Sequence, residues 1–348
     1  MKIHEKYMMR CLELAKNGLG KTYPNPMVGC VIVSNHKIIS EAWHRKAGEP
    51  HAEVNAINSV KNPSLLKKAS LYVSLEPCSH YGKTPPCSEL IISKGIKKVV
   101  IGSIDPFAQV CGKGVQQLMS AGVDVTLGVL EKECEFLNRR FFTFHRKKRP
   151  YIILKWAETQ DGFIAPNAQP ERHPVWITSS ESKQLVHKWR SEEAAILVGT
   201  NTVLADNPQL NVRLWNTVAE KNPVRLVLDR TLKIPQNSNV FDGKIQTLVF
   251  CENPLENKEN IVYKKINFNE NVPEQICGIL FENELQSVIV EGGTTTLQSF
   301  IDANLWDEAR VFTGNRRFEK GIKSPSFAGK LTKSKQIGKD ELKIYHND

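Results

Sequence analysis

His51-Ala52-Glu53, Glu76-Pro77-Cys78 and Thr84-Pro85-Pro86-Cys87 follow one another in the first third of the chain. One imidazole and two thiolates suit zinc, and three protein ligands leave the fourth tetrahedral position to water, as in catalytic rather than structural sites. Bound zinc lowers the pKa of that water from about 15.7 to about 7. Glu53 stands two residues after His51, where a carboxylate opening the same helix can carry the water's proton to a leaving group. His80 also stands close to Cys78, but His51, Cys78 and Cys87 already complete a three-ligand set. Cys11, Cys30, Cys111, Cys134, Cys251 and Cys277 form no pair with ligand spacing.

Outward from these ligands, the spacing predicts helices over 52–60 and 87–94 with a strand over 70–75 between them. His51 and Cys87 would each stand where a loop enters a helix, and the positive helix ends would favour a thiolate. Met8, Leu12 and Ala15 recur at helical spacing over 7–15, and strands over 27–33 and 37–43 flank a Ser34-Asn35-His36 turn. Further strands over 97–102 and 123–127, with a helix over 113–121, complete a three-layer α/β domain. The basic run 139–149, ending at Pro150, reads as a solvated linker whose aromatics pack on one domain, so domains of 1–145 and 150–348 are expected. The second half alternates strands (151–156, 194–199, 225–229, 247–251, 287–291) with helices such as 180–189 and 295–303. It too is α/β, with the Asn-rich stretch 252–271 read as a mobile insertion.

The 348 residues suit two domains, and 41% hydrophobic with 24% charged residues describes an ordinary globular chain. No stretch approaches the roughly 18 uninterrupted apolar residues of a membrane span. The N-terminus enters an amphipathic pattern rather than a signal-peptide core, and eight cysteines are too sparse for a disulfide scaffold, so a cytoplasmic protein is expected. The net charge of +10 favours anionic partners, phosphorylated metabolites or nucleic acid. No Gly-x-Gly-x-x-Gly follows a strand. Instead the strand at 287–291 enters Gly292-Gly293-Thr294-Thr295, a turn that lets a phosphate approach the backbone at a helix start.

The His-x-Glu and Pro-Cys pattern is that of the zinc nucleobase deaminases. In many of them the two cysteines lie two residues apart, whereas here they enclose Ser79-His80-Tyr81-Gly82-Lys83-Thr84-Pro85-Pro86. With that loop, Pro24-Asn25-Pro26-Met27-Val28-Gly29-Cys30 and Gly48-Glu49-Pro50-His51-Ala52-Glu53, the chain resembles the bifunctional riboflavin-biosynthesis deaminase/reductase family. The resemblance continues through Trp176-Ile177-Thr178, Thr202-Val203-Leu204-Ala205-Asp206-Asn207-Pro208 and Val290-Glu291-Gly292-Gly293, so it covers nearly the whole chain.

The resemblance implies an N-terminal cytidine-deaminase-like domain that hydrolytically deaminates diaminohydroxyphosphoribosylaminopyrimidine. It also implies a C-terminal dihydrofolate-reductase-like domain that reduces the ribosyl side chain to ribityl with NADPH. His51, Cys78 and Cys87 then match zinc ligands, Glu53 the proton shuttle, and Asn25, His44 and Lys83 substrate contacts. In the second domain Trp176, Thr202, Asp206, Gly293, Thr294, Thr295, Thr296, Leu297, Gln298 and Ser299 match cofactor contacts. Arg190, Leu210, Arg213 and Glu291 match substrate contacts, with Lys155 and Asp206 the polar groups expected near the reacting carbon. Phe107-Ala108 stands where many relatives have Asn-Pro, and Pro174 where they often have serine, so no polar contact is carried over there. The expected partner is a phosphorylated pyrimidine, with neither nucleic acid nor membrane, and the expected assembly a homo-oligomer. The alternative is an RNA-editing zinc deaminase with an RNA-binding C-terminal domain, favoured by the +10 charge and the basic run, and opposed by the α/β periodicity of the second half.

Overall fold

Gly29–Ser34 (β1) is buried along its whole length, the mark of a strand covered on both faces. Cys30 and Ile32 pack with Ala52, Ala56 and Ile91, while Val31 and Val33 pack with Met8, Cys11 and Leu12. Alternate residues of one strand thus serve two helical layers. The structure, a computed structural model, describes residues 2–81, 85–107, 110–167, 174–216 and 222–347, in two units, Met1–Lys148 and Arg149–Asp348.

In the first unit, helix Ile3–Ala15 (α1) precedes β1 and Lys37–Trp43 (β2). Then come Ala52–Asn58 (α2), Ser70–Leu75 (β3), Cys87–Ser93 (α3), Lys98–Ser103 (β4), Lys113–Ser120 (α4), Asp124–Thr126 (β5) and Glu131–Leu137 (α5). The sheet order is β2-β1-β3-β4-β5, with β1 antiparallel to β2 and β3 and the rest parallel. The carboxyl ends of β3 and β4 therefore lie side by side, the usual place for a site in an α/β sheet.

The basic run departs from its reading as a linker. Arg139–Lys147 is a helix (α6) of the first unit that buries Arg140, Phe141, Phe142, Thr143 and Phe144. Phe141 and Phe142 pack with Leu75 at the end of β3, and Arg146 is exposed beside Glu135. Its aromatics are core, so the interleaved Phe and Arg do not form an open binding face.

The second unit runs Tyr151–Glu158 (β6), Phe163–Pro166 (β7), Ser180–Glu192 (α7), Ala195–Gly199 (β8), Thr200–Asp206 (α8), Val224–Leu228 (β9), Thr247–Cys251 (β10) and Ile261–Lys265 (β11). It ends with Val272–Glu282 (α9), Ser287–Val290 (β12), Thr294–Asp302 (α10), Glu308–Thr313 (β13), Gly321–Lys323 (β14), Lys330–Ile337 (β15) and Asp340–His346 (β16). Nine strands make one sheet, β11-β10-β9-β8-β12-β6-β13-β16-β15, parallel from β11 to β13 and antiparallel at its last two strands. Ile152 and Leu154 of β6 face a core with Leu280, Leu297 and Phe300; Tyr151 and Ile153 face Val186 and Trp189 of α7. The stretch 252–271 contributes β11, an ordered edge strand parallel to β10, and is not merely an insertion. Among the described residues no helix is long and apolar enough to cross a membrane.

Candidate active sites

His51 is the N-cap of α2, extended at φ −66° and ψ 165°, and Cys87 is the first residue of α3. Cys78 follows β3 by three residues. These placements bring His51 Nδ1 to 3.6 Å from Cys78 Sγ and 3.4 Å from Cys87 Sγ. Zinc–sulfur bonds of about 2.3 Å and zinc–nitrogen bonds of about 2.05 Å at a tetrahedral angle require an N···S separation of about 3.5 Å. The donor set therefore fits zinc in both chemistry and spacing, and among the described residues these three alone form such a cluster. Hydrogen bonding with Cys87, and then with His51, holds the Cys78 thiol well below its ordinary range despite burial. The bond to Cys78 pushes His51 up to about 9.

Glu53 lies in the first turn of α2, 3% exposed, and burial pushes its carboxyl up to about 7 against the pull of His51. His44 is buried, its ring 5.4 Å from that of His51. Pro50 O can only accept, so His44 Nδ1 donates to it at 3.2 Å, and the neutral ring's Nε2 accepts from Asn25 Nδ2 at 3.2 Å. Burial lowers the His44 pKa, keeping the ring neutral. Asn25 Oδ1 is left as an acceptor for an amine. Lys83 lies outside the described residues. Phe107 lies against His145, the ring centroids 5.0 Å apart and the planes tilted by 54°, so an aromatic side chain stands where no polar contact is carried over.

The second unit gathers Lys155, Arg190 and Glu291. Glu291 accepts from Arg190 through both carboxylate oxygens, at 3.0 and 2.7 Å, and Lys155 Nζ is 3.7 Å away. Burial alone would raise Glu291, but Arg190 and Lys155 prevail and bring it to about 2. Arg190 also donates to Asn211 O, and Arg213 donates to Asn211 Oδ1 at 2.9 Å. His187, one turn before Arg190 on α7, accepts from Arg213 N at 3.2 Å; burial, then Arg190 and Arg213, push it down to about 4. The sequence reading passed over His187, whose spacing of three from Arg190 was the available signal. Leu210 is 2% exposed and held at φ 47°, so it belongs to the core and offers little surface to a ligand. Asp206 ends α8, raised by burial, and makes no hydrogen bond to the Lys155–Glu291 group among the described residues.

The glycine turn closes on Thr202. A Cβ at Gly292 would stand 3.0 Å from Thr202 Oγ1 and one at Gly293 3.4 Å from it, and Gly293 has φ +59°, a conformation L side chains rarely adopt. Thr294 donates its hydroxyl to Lys323 O, Ser299 to Thr296 O, and Gln298 bonds Ser326 through both amide atoms. Leu297 is 1% exposed in the core. Side chains of Leu297 and Gln298 thus hold α10 in place, whereas Thr295 beside them is exposed and Thr296 is buried. Trp176 is 45% exposed, with Lys183 Nζ 3.7 Å from its ring centroid.

A three-donor zinc cluster on one α/β unit and a glycine turn beside a buried cationic group on another define a zinc deaminase joined to a reductase. Residues 1–103 match the cytidine and deoxycytidylate deaminase zinc-binding region, and residues 150–340 match the RibD C-terminal domain. Riboflavin biosynthesis protein RibD of Aquifex aeolicus is 42% identical over 92% of this chain and 89% of its own. That of Actinobacillus pleuropneumoniae is 50% identical over 88% and 82%. The crystal structure of a diaminohydroxyphosphoribosylaminopyrimidine deaminase/5-amino-6-(5-phosphoribosylamino)uracil reductase from Thermotoga maritima superposes with a TM-score of 0.89 at 37% identity, covering 99% of both chains. Acinetobacter baumannii RibD superposes at 0.88 and 32%, covering 99% of this chain and 98% of its own. The chain belongs to the RibD family of bifunctional deaminase/reductases of riboflavin biosynthesis. The RNA-editing alternative finds no support: a reductase domain occupies 150–340, and the aromatics of the basic run are buried.

Proposed function

We propose that the first unit hydrolyses the exocyclic amine of diaminohydroxyphosphoribosylaminopyrimidine, with zinc held by His51 Nδ1, Cys78 Sγ and Cys87 Sγ. The observation that carries this is the 3.4–3.6 Å spacing of imidazole and thiols beside a buried, unligated carboxyl, Glu53. When bound, zinc supplies a nucleophile at neutral pH by lowering the pKa of water. Glu53 moves the proton to the leaving amine. Asn25, oriented by neutral His44, presents Oδ1 to a ring amine, and Lys83 serves the ribose phosphate. Incubation with the diamino substrate, with and without NADPH, tests the whole reading: product masses should show an amine exchanged for an oxo group (water consumed, ammonia released) without cofactor and a further gain of two hydrogens with it. A mass unchanged in either step overturns the corresponding half.

Cys78→Ser should lose bound zinc and deamination together, read by metal analysis and ammonia release. One zinc per chain in that variant would reject the ligand set. In the second unit, the Gly292-Gly293 turn, Thr202, Trp176, Asp206, Thr294, Thr295, Thr296 and Ser299 would hold NADPH, which would supply a hydride. Arg190, Arg213 and Glu291 hold the phosphorylated sugar, and Lys155 or Asp206 provides the proton. Gly293→Val places a β-branched side chain at φ +59° where phosphate must approach, so NADPH affinity should fall at least about tenfold while deamination continues. Unchanged affinity in a fluorescence titration would remove the phosphate site from this turn. In this reading the protein works in the cytoplasm as a homo-oligomer, on free small molecules rather than nucleic acid.

A further inference from the structure

Glu76 lies between β3 and the ligand Cys78, 4% exposed, and no step above uses it. Its Oε1 accepts from the backbone N–H groups of Gly114 at 2.9 Å and Val115 at 3.2 Å. Its Oε2 accepts from Gly112 at 3.0 Å and Asp105 at 3.2 Å. One carboxylate thus ties together the loop after β4, the turn before α4 and the first turn of α4, where negative charge is favoured. The Glu76 N–H donates to Ser103 O at 2.9 Å, extending the β3–β4 pairing past the strand end.

The next two residues are clamped as well. Gly114 packs so closely on the Pro77 carbonyl that a Cβ would overlap it. Cys78 O accepts from Ser88 N at 3.2 Å and Ser88 Oγ at 2.9 Å. Cys78 Sγ accepts from Cys87 N at 3.3 Å. Pro77 has a fixed φ, so a displacement of Glu76 passes to Cys78 with little slack.

We propose that Glu76 is a positioning residue for the metal site: it sets Cys78 Sγ at the separation from His51 and Cys87 that zinc requires, and holds the Asp105–Phe107 loop beside it. The role rests on the zinc-ligand reading above. A carboxylate is needed because all four partners donate. Glu76→Gln keeps the size but turns an NH₂ group toward two of those donors, whereas Glu76→Asp keeps the charge and shortens the reach by one methylene.

The test uses the full chain and reads the metal directly. Zinc release to a chromogenic chelator should be at least about tenfold faster in E76Q, within the range typical of groups that support metal ligands. With Co²⁺ in place of zinc, the thiolate-to-metal absorption bands should shift in E76Q and return partway in E76D, while cofactor binding by the second unit stays at the wild-type level. Wild-type release and unshifted bands in E76Q overturn the proposal. If E76Q does not fold, E76D decides: faster release with shifted bands supports the role, whereas wild-type release, or failure of E76D to fold as well, makes Glu76 an anchor of the fold alone and overturns it. A wild-type chain without zinc, or C78S with zinc, rejects the ligand reading instead, so the two failures are distinguishable.

Discussion

Glu53→Gln is expected to reduce the deamination rate by about 10²- to 10⁴-fold, the usual worth of a positioned general acid–base group, with one zinc per chain retained. The carboxyl sits in the first turn of α2, next but one to His51, and is not in the ligand cluster. Burial favours its protonated form, and a carboxyl can accept a proton and return it, whereas the amide can do neither. The substitution replaces an ionisable buried group by a neutral one of the same shape, so thermal stability should not fall. Reduction of already deaminated substrate should proceed at the wild-type rate. Zinc analysis, ammonia release and NADPH oxidation on one preparation give all three readings; deamination within threefold of wild type would take the proton shuttle away from Glu53.

The zinc cluster was legible because its ligands sit in short motifs whose flanking elements have clear periodicity. His51 and Cys87 at helix starts follow from that alone. The choice of Nδ1 was not legible, since it depends on the extended N-cap backbone of His51. Glu76 was visible in its motif but its role was hidden, because its four partners are backbone groups 29 to 39 residues away in sequence.

Other features escaped because charge masks periodicity. In α6 the packing of Phe141, Phe142 and Phe144 agrees with the sequence reading, but the surrounding arginines and lysines gave the run the composition of a linker and hid the helix. β15 is exposed at all but its last residue and so carries no apolar alternation; its pairing with β16 comes from the backbone, and its lysines suit an edge strand that must not recruit another. β11 lies in an Asn-rich context, with only Ile261 and Tyr263 buried to mark it. In the second unit the resemblance assigned Arg190 and Glu291 separately to substrate. Their bidentate bond spans 101 residues, which no local pattern reveals.

That bond gives the largest expected stability effect. Glu291→Gln leaves Lys155 and Arg190, with side chains only 16% and 12% exposed, without the anion that balances them. Removing one partner of a buried ion pair costs about 3–5 kcal/mol; the glutamine oxygen can still accept one bond from Arg190, so the lower end, about 3 kcal/mol, is expected. For a unit of this size each kcal/mol moves Tm by about 2–4 °C, so the second unit should melt roughly 10 °C lower at pH 7. The pH dependence fixes the cause. The Glu291 carboxyl is held at about 2 in the folded chain against an ordinary 4.5, so its stabilisation is complete above about pH 4.5 and lost as pH falls toward 2. The gap in Tm between wild type and variant should therefore be widest near neutrality and narrow on acidification through that window. Lys155 should lose charge more readily as well, since Glu291 is the partner that offsets its burial, and reduction should then fall more steeply with rising pH than in wild type. Calorimetry at pH 7 and at about pH 3, inside that window, and a pH–rate profile for reduction check both statements; a variant that melts with wild type at pH 7 would show that the three side chains are not an interdependent charge group.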